Sequence, residues 1–445
     1  MIILKFGGTS VSSKETIATI CDVVRERLDQ RPVVVVSALS GVTDLFLSIT
    51  ASPNSSTNSF KKIRTIHFDL IHAIWEDAGA ADSVMSYIDA TLAQAQTLLK
   101  KNGVTKSSTD KICASGEMMS SYIICEALKK SGITSQQVLA ATLIVTNDNF
   151  GNAEFIPEPT RVNAEHHLLP LIEQGITPVV TGFIAATEDG RTTTLGRGGS
   201  DYSAAILGYS LRADEIQIWT DVDGVFTADP RFVQGAQLLE KISYKEASEL
   251  ATFGAKVLHP KTIRPAMSAG IPVRVCNTFN PRSPGTLILE TFGSDRPITA
   301  VSSKRTAVLV NIYSTDMLFG KGFLVRIFEV FSRNNISVDL VSVSEVSVSL
   351  TFETKDGITH ALEELSQFAS VNVSEDFGTV SLIGSNVAAS PTTISRIFAV
   401  LETEGILVRM VSLGAASINV SVVIKREEIE RAVQVLHDKI ILSHA

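Results

Sequence analysis

No apolar run in this 445-residue sequence is long; the run from Pro32 to Val36 already stops at Ser37. A bilayer-spanning helix needs about 20 such residues, so no membrane span is expected. Met1–Lys5 shows no basic stretch ahead of a long apolar one, which argues against an export signal. Cysteine is scarce. The four present, Cys21, Cys113, Cys125 and Cys276, are widely spaced and form no CxxC pair. A zinc or disulfide framework is therefore not expected, and the thiols read as reduced small hydrophobes in a soluble cytoplasmic protein. Clustered positive charge is also missing. Lys and Arg number 39 against 47 Asp and Glu, a net charge of −8, so no nucleic-acid partner is expected. Small anions stay possible, because a few cations and backbone amides suffice for them. Finally, neither GxxxxGK[ST] nor a GxGxxG after the first strand is present, which excludes a P-loop enzyme and argues against a nicotinamide-binding domain.

What is present is globular. Apolar residues make up 44% and charged residues 19%, which excludes disorder as the main state. At about 150 residues per domain the length suggests three folding units. The first two-thirds alternate strand and helix signals. Ile2–Phe6 precedes Gly7-Gly8-Thr9-Ser10, then a helix with Ile17, Ile20, Cys21, Val24 and Leu28 on one face and Ser12 and Glu15 at capping-box spacing. Val33–Val36 reads as a strand buried on both faces, the mark of a parallel sheet. Further strands are expected at 143–146, 178–181, 216–219 and 273–275, with helices at 118–129, 161–174 and 203–211. This is an α/β sandwich. Ser52–Ser59 reads as a polar loop.

Near residue 290 the register changes. Pro281–Gly285 and Gly293–Pro297 carry loop and linker signals, and beyond them short elements repeat. The line FEVFSRNNISVDLVSVSEVSVSLT corresponds to FAVLETEGILVRMVSLGAASINVSVV, each a helix ending at a turn and feeding a β-branched strand and hairpin. A tandem βαββαβ, ferredoxin-like module is expected.

Two glycine-rich stretches carry chemistry. Lys5-Phe6-Gly7-Gly8-Thr9-Ser10 ends a strand and opens a helix, where amides, the helix dipole and a lysine at the strand's carboxyl end can meet an anion. Taken locally, it reads equally as a tight turn with a surface lysine. Thr192–Asp201 (TTTLGRGGSD) adds a second nest of amides, an arginine and a carboxylate ahead of another helix. An arginine set among three glycines tips the reading toward function.

Lys5–Ser10 (KFGGTS), the TTTLGRGGSD stretch, Trp219–Val225 (WTDVDGV) and Phe253–Lys261 (FGAKVLHPK) together resemble the signatures of the aspartokinase family, in the family's order and with the repeat behind them. The resemblance implies a three-layer amino-acid kinase sandwich, carbamate-kinase-like and with a mostly parallel sheet, over residues 1–290. Two ACT modules, at 300–377 and 378–445, would follow, in a family where one module can interrupt the other and the two can interleave. No room remains for a fused homoserine dehydrogenase. The implied reaction is transfer of the ATP γ-phosphoryl group to the side-chain carboxylate of L-aspartate. Mg²⁺ would ride on the nucleotide phosphates, with no protein metal ligands. Such a reaction is mostly charge neutralisation and alignment.

The resemblance assigns roles residue by residue. Lys5 would bridge the phosphates, with Gly7, Gly8, Gly198 and Gly199 around it and Asp201 orienting it. Arg197 would fork onto the α-carboxylate of aspartate. Glu117 would receive the substrate ammonium, and Ser37, Thr43 and Ser200 would hydrogen-bond the substrate. Lys5, Phe6, Gly7, Gly8, Thr220, Asp221, Phe226, Arg231 and Lys256 match nucleotide positions; Phe226 stands where the family often has tyrosine. His259 is read as structural, because an ionised acceptor carboxylate needs no general base. Met317, Phe323, Leu324, Ser337, Val338, Asp339, Ser344 and Glu345 match lysine-binding positions of the lysine-sensitive branch, although Gly320 stands where a lysine-sensitive bacterial relative has serine. L-Lysine is therefore the expected effector, and a homodimer or dimer of dimers the expected assembly. The alternatives are another carboxylate kinase, for N-acetylglutamate or glutamate, and a catalytically inactive amino-acid sensor.

Overall fold

The computed structural model describes the chain except residues 103, 255–257, 259, 292–295, 319, 386, 388–390, 415–417 and 443–445. Two compact units emerge. One comprises Met1–Val225, Leu239–Tyr244 and Val257–Phe292; the other comprises Phe226–Leu238, Lys245–Lys256 and Gly293–Ala445.

In the first unit the chain runs β1 (Ile2–Phe6), α1 (Lys14–Arg25), β2 (Pro32–Val36), α2 (Val42–Ala51), α3 (Ser56–Ile74), α4 (Ala78–Asn102), α5 (Lys106–Cys113) and α6 (Ser115–Lys130). It continues through β3 (Ser135–Val138), β4 (Val145–Thr146), α7 (Pro157–Glu173), β5 (Thr177–Thr181), β6 (Ile184–Thr187), β7 (Thr192–Thr194), α8 (Gly199–Leu211) and β8 (Glu215–Thr220). β9 (Lys241–Ser243), α9 (Tyr244–Thr252), α10 (Pro260–Ser268), β10 (Val273–Asn277) and β11 (Thr286–Leu289) follow, with most of α9 grouped in the second unit.

Eight strands form one sheet in the order β3-β5-β2-β1-β8-β10-β11-β9. Only the β10–β11 pair is antiparallel. Three more strands, β4-β6-β7, form a small separate sheet. The apolar run of β2, and that of β1 interrupted by Lys5, are explained by burial on both faces. Ile2, Leu4, Phe6, Val34 and Val36 join the helical core of α1 to α6. Against the opposite face lies α8, so close that a Cβ on Gly208 would stand 2.5 Å from Ile216 Cδ1. The period of two puts Lys5 on this second face, with Ile3, toward α8.

Three local expectations are corrected. The capping box of α1 is formed by Ser13 and Thr16, not Ser12 and Glu15. Ser12 is used elsewhere: its hydroxyl donates to Gly8 O at 2.6 Å and accepts from Ser40 N at 3.0 Å. Residues 52–59 are not a loop. Pro53 opens a 3-10 turn that runs into α3, whose Phe60 and Ile63 are buried at helical spacing. In the first repeat the β-branched strand does not follow the turn at once: it is confined to Leu340–Val343, because Asn335 takes a left-handed conformation (φ 52°) and the chain is not yet in the sheet.

The second unit is built on one antiparallel sheet. Its strands are β12 (Ala300–Tyr313), β13 (Leu340–Val343), β14 (Ser347–Phe352), β15 (Ser370–Ile383), β16 (Met410–Ser412) and β17 (Asn419–Lys425), in the order β13-β14-β12-β15-β17-β16. The helices are α11 (Phe323–Arg333), α12 (Thr359–Leu365), α13 (Pro391–Thr403) and α14 (Ile429–Leu436). Two strands are long because each serves both repeats. Val308–Tyr313 pairs with β14, whereas Ala300–Lys304 pairs with Thr379–Ile383, the part of β15 that also pairs with β17. The register shifts near Ala307, where β12 passes from one repeat to the other. One core gathers Val308, Phe323, Ile327 and Leu350; the other gathers Val301, Leu382, Ile397, Val422 and Leu436. Ala228 and Val233 enter this second core, and buried His437 Nε2 meets Thr227 Oγ1 at 2.9 Å.

Candidate active site

A cleft of about 650 Å³ opens in the first unit, at the carboxyl ends of β1 and β2. This is where open α/β sheets place their ligands. Lys5, Gly8, Ser37, Thr43, Glu117, Arg197, Gly199, Ser200 and Asp201 all line it. Phe6 and Gly7 do not; Phe6 stacks on Trp219 in the core at 5.9 Å.

The centre of the cleft is an ion pair. Lys5 Nζ lies 2.6 Å from Asp201 Oδ1, with the side chains 10% and 17% exposed. A pair this enclosed is poor evidence for stability, since desolvation offsets much of the attraction. Its effect is to fix an ammonium against the glycine loops. Asp201 sits in the first turn of α8, whose preceding residue, Gly198, has φ 70°. Gly196 is likewise left-handed (φ 77°), and a Cβ there would come within 2.8 Å of Asn152 Oδ1. Arg197 projects between these two glycines, exposed and without an ion pair among the described residues. On the other side, a Cβ on Gly8 would approach Ala38 O at 3.0 Å. Small residues thus let two loops close over one lysine.

Glu117 forms the floor. It is 3% exposed, receives Ala38 N–H at Oε1 over 3.3 Å, and its Oε2 has no partner among the described residues. Burial pushes its carboxyl up to about 8, against the opposing pull of the Ala38 N–H. A buried carboxyl with one unpartnered oxygen in a cleft is suited to meet a cation. Cys113 also lines the cleft, and burial, followed by the nearby Glu117 and Asp110, raises its thiol to about 12. A thiol raised in this way is poorly ionised at neutral pH.

Other residues were missed by sequence reasoning. Asp110 is 3% exposed, and its Oδ2 accepts Gly151 N–H at 2.9 Å and Thr194 N–H at 2.8 Å. Burial raises its carboxyl while both amides oppose the shift. Gly182 lies beneath the second glycine loop, and a Cβ there would overlap Ser200 Oγ at 2.6 Å. Its neighbour Phe183, at φ 65°, accepts Leu195 N–H at its carbonyl and lines the cleft. Only a non-local map reveals these, because each acts on backbone far away in sequence.

The expected nucleotide residues divide. Thr220 ends β8 and Asp221 follows it, and the Thr220 carbonyl accepts Thr278 N–H at 2.9 Å. Phe226 and Arg231 belong to the second unit, where Arg231 is already paired with Asp229 at 2.6 Å. Lys256 and His259 lie outside the described residues. Among the expected effector residues, Phe323 is buried in the α11 core and packs edge-on to Phe368, while Leu324 is 39% exposed. Met317 and Val338 flank that core. Asp339 is paired with Lys304 at 3.3 Å, Ser344 accepts Ser347 N–H at 3.2 Å, and Ser337 and Glu345 are exposed. Gly320 has no room for a side chain: a Cβ would stand 2.1 Å from Asp316 O.

A model of the amino acid kinase family matches residues 1–277, and one of the ACT domain matches residues 380–440. The chain is 36% identical over 452 residues to the lysine-sensitive aspartokinase 3 of Escherichia coli (strain K12), with 99% of each covered. The crystal structure of E. coli aspartokinase III in complex with aspartate and ADP (R-state) superposes with a TM-score of 0.83 at 34% identity, over 99% of this chain and 100% of that one. Its complex with lysine and aspartate (T-state) gives 0.85 at 35% identity, over 99% of both. This chain belongs to the amino acid kinase family and, within it, to the aspartokinases. None of its helices, among the described residues, is long and apolar enough to cross a membrane.

Proposed function

We infer that this chain transfers the γ-phosphoryl group of ATP to the side-chain carboxylate of L-aspartate, giving 4-phospho-L-aspartate. The observation that carries this reading is the cleft itself: an enclosed Lys5–Asp201 pair facing a buried Glu117 with a free oxygen. The relatives bound to aspartate with ADP, and to lysine, support it.

Two anions must meet, so the chain's task is to neutralise and align them. Glu117 receives the substrate ammonium, and this cation draws the proton off a carboxyl that is otherwise held neutral by burial. Arg197 forks onto the α-carboxylate, while Ser37, Thr43 and Ser200 hold the remaining oxygens. The side-chain carboxylate then lies toward Lys5. Asp201 keeps the Lys5 ammonium aimed where charge builds on the transferring group, and the amides of Gly8 and Gly199 add to it. No proton transfer is required, because the acceptor is already ionised. Mg²⁺ fits as an ion carried by the nucleotide phosphates. Asp201 is committed to Lys5.

We read residues 1–290 as the kinase domain, with 300–377 and 378–445 as ACT modules; the second also takes its edge strand from Ala300–Lys304. L-Lysine is the proposed feedback effector, at Asp339, Glu345 and their neighbours. A homodimer or dimer of dimers in the cytoplasm completes the reading, supported by the exposed apolar side chains of Leu324, Val325 and Phe328 on α11. Trapping the acyl phosphate with hydroxylamine tests the activity. Hydroxamate should form with aspartate and ATP, and far less with glutamate or N-acetylglutamate. Equal yields from glutamate would overturn the substrate assignment.

A further inference from the structure

We propose that Asp110 is a positioning residue for aspartate, holding the Arg197 loop in register from beneath; this rests on the substrate reading above.

Asp110 lies in the middle of α5, one helix before Glu117, and lines the cleft. A single oxygen, Oδ2, accepts two main-chain N–H groups from segments distant in sequence, those of Gly151 and Thr194. Thr194 is held at both ends, because its carbonyl accepts Ala153 N–H at 3.0 Å. The same turn supports the next residues: the Gly151 carbonyl and Asn152 pack where a Cβ on Gly196 would be. Asn152 Oδ1 is in turn fixed by Lys261 Nζ at 2.8 Å. Arg197 follows directly, between two left-handed glycines that would otherwise let it swing. A charged acceptor shared by two amides is a strong anchor. It is also an expensive one, because a carboxylate this buried loses its hydration. Apolar packing would hold two loops at lower cost. What it would not do is fix the height of Thr194, and hence of Arg197, to the tolerance that a two-pronged carboxylate contact demands.

Lys5 and Asp201 stand on other elements, β1 and α8. Loss of the anchor should therefore loosen aspartate binding more than nucleotide binding. Asp110→Ala is expected to raise the KM for aspartate at least tenfold while the KM for ATP stays within threefold. Asp110→Asn keeps an oxygen acceptor at the same place and should recover aspartate KM to within about threefold of wild type. Both would be measured with hydroxamate kinetics alongside thermal melting. A folded alanine variant with unchanged aspartate KM overturns the proposal, as does an asparagine variant as impaired as alanine. Should the alanine variant fail to fold, the asparagine variant decides alone: an aspartate KM raised more than tenfold in that protein overturns the proposal, and a near-normal value supports it. Wild type that makes no hydroxamate from aspartate would instead remove the substrate reading, a different outcome from any of these.

Discussion

The molecule holds two lysine–aspartate pairs at places where ligands are expected, and they differ. Lys5–Asp201 is 2.6 Å long with side chains 10% and 17% exposed; Lys304–Asp339 is 3.3 Å long with 21% and 25%. The first is framed by left-handed glycines and the end of a fully buried strand, so its ammonium is aimed but available from the cleft. In the second, the aspartate itself is the expected ligand, and a resident ammonium already occupies it. Glu345, by contrast, is exposed and makes no ion pair among the described residues. A catalytic site gains from being set before its ligand comes. A regulatory site gains from having something to exchange, because an effector shifts an equilibrium only through a difference between two states.

The sharpest way to break this comparison is at Lys5. Replacing it with alanine should lower kcat by about 100- to 1000-fold, the cost of one preorganised contact to a transferring group. A variant keeping more than a third of wild-type kcat would show that the enclosed pair is not catalytic. Next comes Arg197→Lys. An ammonium cannot reproduce a two-pronged contact, so the KM for aspartate should rise about tenfold or more with the KM for ATP nearly unchanged. Varying each substrate in turn decides it, and the reverse pattern would assign Arg197 to the nucleotide. At the regulatory pair the expected effect is smaller. Glu345→Gln should weaken lysine inhibition about fivefold and leave uninhibited kcat alone, within the 5- to 150-fold range typical of coupled sites. A lysine titration with threonine as control measures it; wild type indifferent to millimolar lysine would remove the effector assignment.

Legibility followed locality. Lys5 with its paired glycines, and the Arg197 stretch, could be read because strand, turn and helix signals are adjacent in the chain. Glu117 is marked in the sequence by the family resemblance alone; its orphan oxygen and burial are tertiary facts. Asp110 gave no sign, since its partners are backbone amides 41 and 84 residues away. The repeat was visible as a repeat, yet the sharing of β12 and β15 between both copies was not, because a 14-residue strand has the same alternation whichever neighbour it meets. Phe226 and Arg231 show the limit of motif adjacency. They follow Asp221 closely in sequence, but the chain around them packs with the second unit. The helices α3 and α4 lie behind a serine-rich entrance that has the composition of a loop, and that Pro53 and the buried Phe60 turn helical.

The central claim is that buried Glu117 is neutral in the free protein and ionises to receive the ammonium of aspartate. With its carboxyl at about 8, it is mostly protonated at pH 7 and gives up that proton when the cation arrives. The same raised value makes Glu117 a burden on folding that grows as pH rises from about 4.5 toward 8, since the unfolded chain ionises first. Glu117→Gln should accordingly melt higher than wild type at pH 8, with the gain fading toward pH 4.5, while losing aspartate binding. The direct measurement is calorimetry of aspartate binding at pH 7 in buffers of different ionisation enthalpy. Net proton release on binding is predicted for wild type, because burial holds the Glu117 carboxyl well above its ordinary value in the free protein. A release of zero, with aspartate bound, would contradict the account.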